Sequence, residues 1–204
     1  MTAHQSPKTA RAPLTDFPVS DKCLGETPAF DDAPAWIYNH DNPYLHGVYA
    51  PTIRELDQDR LDIVGELPSD LRGTYYRNGA NPVFEPKNRY HPFDGDGMVH
   101  MISFQNGKAS YRNRFVQTKG LSAEQEAGKR LWAGLMENPA LSARPGWGAH
   151  GSIKDASSTD VVVHAGRAFT SYYQCGEGYR LDPFTLAQQG IPAWSPLDGI
   201  SAHI

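Results

Sequence analysis

The chain has 204 residues, a net charge of −4 and 39% hydrophobic residues. This length is sufficient for one domain with a real core or for part of a larger one, and the acidic balance argues against a nucleic-acid-binding protein, which would carry a basic patch. The two cysteines, Cys23 and Cys175, are too few for a disulfide framework or a thiolate metal cluster, and they favour a reducing, cytoplasmic compartment.

No apolar run is long enough to predict a membrane-spanning helix, and the first residues lack the apolar core of a signal peptide. Peripheral membrane contact stays open, because it needs only a local apolar patch. Glycine and proline are abundant, with 19 and 16 residues, beside ten tyrosines and eight phenylalanines. This composition favours short strands joined by turns over long helices.

The N-terminal part of the chain shows no hydrophobic periodicity. Residues 1–35 are rich in proline and small polar residues, so we expect a flexible arm there. Residues 36–51 are aromatic and turn-rich. His40 and His46 lie in this stretch without the spaced partners of a metal site, and we expect them to be surface histidines.

Regular structure is predicted to begin near Leu61. Residues 61–68 read as a short strand ended by a proline, and residues 73–79 as a second strand. Two acidic residues, Asp94 and Asp96, then alternate with glycines that permit a positive φ or a close approach of the backbone. We predict a turn at this loop and assign it no metal or catalytic role.

Residues 98–104 and 108–117 predict the clearest hairpin of the chain. Its second strand alternates aromatic residues with Arg112 and Arg114, so one face is basic. Binding of an anion by these arginines is one interpretation. A solvated face, or pairing with the acidic residues of the preceding loop, is the other.

One helix is predicted, over residues 122–138. Ser122 and Gln125 match a capping box, and Asn138-Pro139 ends the run. Leu131 and Leu135 fall on one apolar face. That face predicts a helix docked on a sheet or, alternatively, a lid or a membrane-touching element.

The last third of the chain returns to strands. Residues 160–164 and 167–173 flank the two-residue turn Ala165-Gly166, and residues 179–183 add a third strand. Strand, tight turn, strand, glycine-rich turn and strand is the order found in a propeller blade. An all-β architecture is therefore predicted, with a propeller favoured over a sandwich.

Taken together, these motifs resemble the N-terminal part of the carotenoid cleavage oxygenase family, which includes retinoid isomerases and bacterial stilbene-cleaving dioxygenases. The resemblance runs from about residue 60 to the end. The segments that carry it are Gly65–Pro82, His91–His100, Tyr111–Thr118, Glu124–Gly128, Val163–Arg167, Tyr179–Leu186 and Ser201–His203.

The resemblance implies a seven-bladed β-propeller that holds one non-haem Fe(II) through four histidines. Residues 36–204 would be its N-terminal blades, a partial propeller with the amphipathic helix inserted. The family's first ligand lies in a Ser/Thr-Ala-His motif, so Ser201-Ala202-His203 implies that His203 binds the metal. Imidazole is a donor that suits Fe(II).

The chain also departs from the family pattern. It stops one residue after His203, and the other ligand histidines are expected from later blades. Gln174 stands where the family usually has a carboxylate that orients a ligand histidine, and an amide orients it less strongly. Phe115 and Tyr173 stand where stilbene-cleaving members present a tyrosine and a lysine to substrate, which disfavours a stilbene phenol.

Three functional hypotheses follow from the resemblance. The first is an Fe(II)-dependent dioxygenase that uses O₂ to cleave a conjugated double bond of an apolar small molecule into two carbonyl products. The second is a truncated remnant, inactive alone, and the third is a non-catalytic binding module. No nucleic acid and no obligate protein partner is expected, and the location expected is the cytoplasm, with peripheral membrane contact left open.

Overall fold

The computed structural model describes residues 33–146, 153–173 and 175–192. The expected N-terminal arm, residues 1–35, therefore lies almost wholly outside the described residues. The segment that follows contains three short 3₁₀ helices, and a fourth lies further along the chain. Their bounds are Ala35–Asn39, Pro43–Leu45, Gly47–Tyr49 and Pro139–Leu141.

Two antiparallel sheets form the framework of the described chain, as the predicted all-β class requires. The first sheet contains four strands: β1 (Asp57–Gln58), β2 (Gly73–Asn81), β3 (Asp96–Gln105) and β4 (Lys108–Phe115). Their spatial order is β1-β4-β3-β2. The second contains β5 (Asp160–His164), β6 (Arg167–Ser171) and β7 (Tyr179–Leu181), in that order.

Both predicted hairpins are present, and tight turns set their registers. Asn106 and Gly107 have φ of 53° and 67°, and Ala165 and Gly166 have φ of 47° and 71°. Two consecutive left-handed residues are typical of the type I′ turn, whose twist matches that of the flanking strands. The cross-strand pairs Gln105–Lys108 and His164–Arg167 close the two hairpins.

The predicted strand at residues 61–68 is wrong. Only β1 forms in this part of the first sheet, before the predicted range. Leu61 donates a backbone hydrogen bond to Ala109 at 2.8 Å, but Val64 is 90% exposed. The apolar residues of this segment thus have no sheet face to cover them, and without such burial their β-propensity does not produce a strand.

The helix is shorter and earlier than predicted. Helix α1 spans Lys119–Ala127, and the Thr118 hydroxyl accepts the Leu121 amide proton at 2.9 Å, so Thr118 is the N-cap and not Ser122. Gly128 takes a left-handed φ of 64° and ends the helix. Leu131, predicted on the apolar face of the helix, is 5% exposed in the loop beyond α1.

The main core lies between the two sheets. Val99 and Met101 of β3 pack with Ala168 of β6 and with Tyr179 and Leu181 of β7. A second cluster lies on the opposite face of the first sheet, where α1 docks. Its buried members are Met98, Phe115 and Leu121.

Gly97 brings β3 into contact with the segment before β5. Its amide donates to the Ala156 carbonyl at 2.8 Å, and a Cβ placed on Gly97 would lie 2.3 Å from the Ser157 carbonyl oxygen. A Cβ on Gly95 would meet the Asn81 amide nitrogen at the same distance. Of the two possibilities raised by the sequence, close approach is the one that applies, because neither glycine has a positive φ.

We expect Gly97→Ala to destabilise the fold by about 2 kcal/mol or more, because the methyl group must displace backbone atoms that cannot move independently. Urea denaturation measures this change. Gly79→Ala is the matched control: it is also a strand position without positive φ, and its Cβ would meet nothing closer than the Arg77 guanidinium at 3.6 Å. Equal stability losses in the two variants would contradict the close-approach argument.

Candidate functional site

A cavity of about 470 Å³ opens where the edge strands of the two sheets approach each other. It is bounded by the later part of β2, the residues that enter β5 and the segment that follows β6. The 3₁₀ segment near residue 45 and the loop before β3 complete it. The described lining residues are Tyr44, Tyr49, Arg77, Asn78, Gly79, Ala80, Tyr90, Pro92, Phe93, Ser158, Thr159, Tyr172 and Tyr173.

Six of the described lining residues are aromatic, and five of these rings contact one another edge to face. The ring centroids of Tyr172 and Tyr173 lie 5.1 Å apart, and those of Phe93 and Tyr173 lie 6.2 Å apart. Tyr44 and Tyr49 make a similar contact at 5.5 Å. Such contacts hold rings in place while their faces stay available to a planar apolar ligand.

Two tyrosines of the wall, Tyr90 and Tyr172, are buried phenols. Burial, with a contribution from Asp94, raises the pKa of Tyr90 well above its ordinary range, and burial also raises that of Tyr172. These two phenols therefore stay protonated at physiological pH. A cavity with this lining favours a conjugated or aromatic molecule.

Asn78 fixes the two edge strands at the cavity. Its side-chain amide donates to the carbonyl oxygens of Ser157 at 2.8 Å and Asp160 at 2.9 Å. One side chain of β2 thus satisfies two backbone acceptors, one before β5 and one at its first residue. This explains the position of Ser158 and Thr159 in the wall.

A buried ionic cluster joins three separate segments of the chain. The Lys154 ammonium lies 2.6 Å from an oxygen of Asp96 and 2.7 Å from an oxygen of Glu124, with all three side chains at most 9% exposed. Burial alone would lower the pKa of Lys154, but the two carboxylates raise it, so the lysine stays charged. The second acidic residue of the Asp-Gly-Asp-Gly loop is therefore a structural ion-pair partner.

Asp155 is a second buried carboxyl group. It accepts a hydrogen bond from the Tyr179 hydroxyl at 2.5 Å, and its carbonyl oxygen accepts one from the Thr118 hydroxyl at 3.0 Å. Burial, with a smaller effect of the Glu177 charge, raises the pKa of Asp155 to about 7. The group is therefore close to titration at neutral pH.

The predicted site residues fall in three places. Tyr173 lines the cavity, whereas Phe115 is 8% exposed and packs in the core between the first sheet and α1. Gln174 and His203 lie outside the described residues. The metal-binding role of His203, the orienting role of Gln174 and a contact of Phe115 with substrate stay predictions.

No group of three or more histidine, cysteine, aspartate or glutamate side chains is placed to hold a metal in residues 33–146, 153–173 and 175–192. His40 contacts Glu85 at 3.0 Å, and His46 bonds to the His40 carbonyl. The residues that the structure describes therefore do not make a metal site by themselves. Within those same ranges, no helix is long and apolar enough to cross a membrane.

The basic face of β4 pairs with β1. Pairing with the acidic loop, which was one interpretation of the sequence, does not occur at these two arginines. Arg114 contacts an Asp57 oxygen at 2.6 Å, and Arg112 contacts the other oxygen. Hydrogen bonds from Arg114 and then Arg112 hold the pKa of Asp57 below its usual range. Asp94 instead accepts the Leu135 amide at 2.8 Å.

Comparison with known proteins gives a family. The family model described as retinal pigment epithelial membrane protein matches residues 49–204. A carotenoid cleavage oxygenase of Mycobacterium tuberculosis is 41% identical over 128 residues, which cover 62% of this chain and 23% of that protein. The chain belongs to the carotenoid cleavage oxygenase family.

Other members of the family show the same partial coverage. The apocarotenoid-15,15'-oxygenase of Synechocystis is 34% identical over 78% of this chain and 32% of its own length. The crystal structure of the Pseudomonas brassicacearum lignostilbene dioxygenase aligns with a TM-score of 0.64 at 29% identity, covering 74% of this chain and 31% of that one. The chain thus spans about a third of the length of these relatives.

We expect Lys154→Met to lower the free energy of unfolding by about 3–5 kcal/mol, because Asp96 and Glu124 would remain buried without their cation. Urea denaturation measures the loss. Lys108→Met, at an exposed position of β4, is the control and should cost less than about 0.5 kcal/mol. A loss in Lys154→Met no larger than in this control would contradict a structural role for the cluster.

We expect the contribution of Asp155 to the stability of the chain to fall as pH rises from about 4 to 7. The folded state raises the pKa of Asp155 from 3.8 to about 7, so across this window it binds a proton that the unfolded state has lost. The slope from this group approaches about 1.4 kcal/mol per pH unit. Asp155→Asn, which keeps an oxygen for the Tyr179 hydroxyl, should flatten the profile measured by urea denaturation; an unchanged slope would contradict the assignment.

Proposed function

We propose that this chain forms the N-terminal blades of an oxygenase that cleaves a conjugated carbon–carbon double bond of an apolar, carotenoid-like molecule into two carbonyl products. O₂ would be the co-substrate and Fe(II) the metal cofactor. The two stacked antiparallel sheets would be neighbouring blades of a β-propeller. The relatives are named as carotenoid, apocarotenoid and lignostilbene oxygenases, which supports this reaction class.

The observation that carries the proposal is the aromatic cavity. Its described wall is made mainly of tyrosine and phenylalanine rings and neutral polar groups, and it lies beside the edge strands β2 and β5. In a propeller, one edge strand of each blade faces the central axis. A conjugated molecule bound against Tyr173 and Phe93 would lie near that axis.

His203 would supply one imidazole to the metal. The remaining ligands would come from the part of the family's sequence that this chain does not match. A cobalt-substituted Synechocystis oxygenase is among the solved structures that resemble this chain, which supports a metal in the family. Gln174 would accept a hydrogen bond from a ligand histidine through its amide oxygen. Because it lacks the charge of a carboxylate, it would raise the basicity of that ligand less.

The test uses the 204-residue chain alone and fused to the portion of the Synechocystis oxygenase that follows its matched region. Chimeric proteins containing that oxygenase have been crystallised. We expect the fusion to bind Fe(II) and to convert an apocarotenal to shorter aldehydes in air, measured by metal analysis and chromatography. The chain alone should bind the apocarotenal without cleaving it.

His203→Ala should lower both bound iron and cleavage in the fusion by more than about 10-fold. His164→Ala, at an exposed position at the end of β5, is the matched control and should leave both unchanged. A folded, iron-loaded fusion that cleaves neither an apocarotenal nor a hydroxystilbene would overturn the proposal. It would favour the non-catalytic binding module instead.

The sequence suggested an apolar surface at Leu131 for contact with a membrane. That surface is not available, because Leu131 is buried. The proposed location is the cytoplasm, on the grounds of cysteine content alone. No protein partner is proposed.

A further inference from the structure

Arg77 is the one charged residue among the described residues that line the aromatic cavity. It lies in β2 directly opposite His100 of β3. The remaining wall is aromatic, small or neutral and polar. Arg77 is itself solvent-exposed, so its charge is hydrated and its side chain can be reached by a ligand entering the cavity.

The arginine side chain runs along β2 toward Gly79, which also lines the cavity. Its Nη2 atom lies 3.6 Å from the position that a Cβ would occupy on Gly79. The guanidinium thus lies over the glycine, with no side chain of that residue between it and the cavity. Its fork of N–H donors is available at the cavity wall.

Within the described chain, the guanidinium of Arg77 has neither a hydrogen bond nor an ion pair. Arg112 and Arg114 differ in this respect, since both contact Asp57. The charge reaches its neighbour: after burial, Arg77 is the next cause that lowers the pKa of His100. Arg77 is therefore a solvent-exposed cation at the cavity wall whose guanidinium is available to an anionic ligand.

We propose that Arg77 binds the carboxylate end of an elongated conjugated acid whose apolar body lies against Tyr173 and Phe93. This rests on the proposed function of the cavity as a substrate site and names the substrate class as a conjugated carboxylic acid. Arginine binds a carboxylate through two parallel hydrogen bonds, and the apolar body of the ligand would exclude water from the pair. A single cation favours a monoanion over a phosphate, which would leave a charge unpaired.

Binding to the 204-residue chain tests this without iron or turnover. The probes are retinoic acid and methyl retinoate, which share the polyene and differ in charge, and quenching of protein fluorescence gives both dissociation constants. At pH about 7.5 the acid is ionised, and we expect it to bind at least about 10-fold more tightly than the ester. Arg77→Gln should abolish that preference and leave the ester affinity unchanged.

Arg72→Gln is the matched control, because it removes an equal charge at an exposed position outside the cavity and should leave both affinities unchanged. Arg77→Lys, which keeps the charge but not the fork, should retain only part of the preference. Equal binding of acid and ester to the unaltered chain, or equal weakening of both by Arg77→Gln, would overturn the role of Arg77 while the cavity still binds a polyene. Failure of both probes to bind would overturn the cavity itself, whereas absence of cleavage with intact binding bears only on the reaction.

Discussion

The described fold depends on one buried cation. Lys154 joins Asp96, at the start of β3, to Glu124 in α1, and these partners lie 58 and 30 residues away along the chain. Each carboxylate also accepts a backbone amide, from Val83 for Asp96 and from Leu131 for Glu124. The cluster therefore positions the sheet, the helix and two loops together, and the removal of Lys154 would leave two buried carboxylates without a cation.

Local patterns predicted the two hairpins well and the helix poorly. The hairpins were predictable because alternation and two-residue turns such as Asn106-Gly107 are local signals. The helix prediction followed apolar spacing as far as Leu135, but Gly128 takes the left-handed conformation, so α1 ends at Ala127 and does not reach the expected stop at Asn138. Leu131 is buried in the loop after α1. Hydrophobic spacing alone cannot distinguish an apolar residue on a helix face from one that is buried in a loop.

The cavity is a product of tertiary structure. Tyr173 was marked from the sequence through the family resemblance, and Tyr44, Tyr90 and Phe93 were not, because they come from irregular segments without any periodic signal. The ion pairs of Asp96 and Asp57 escaped prediction for the same reason: their partners lie far along the chain. The alternation of glycine with aspartate did signal a close approach, although not which segment approaches.

The hydrogen bond from the Gly97 amide to the Ala156 carbonyl has a consequence for the order of folding. The β3–β4 hairpin closes across two residues, so it forms at low entropic cost. The bond from Gly97 joins residues that are 59 positions apart, so it can form only when the segment before β5 has packed against β3. Amide exchange at Gly97 would thus follow opening of the whole unit, while the Gly107 turn exchanges through local fraying. Because this contact joins distant parts of the chain, we expect the packing of the segment before β5 against β3 to form later than the local hairpin.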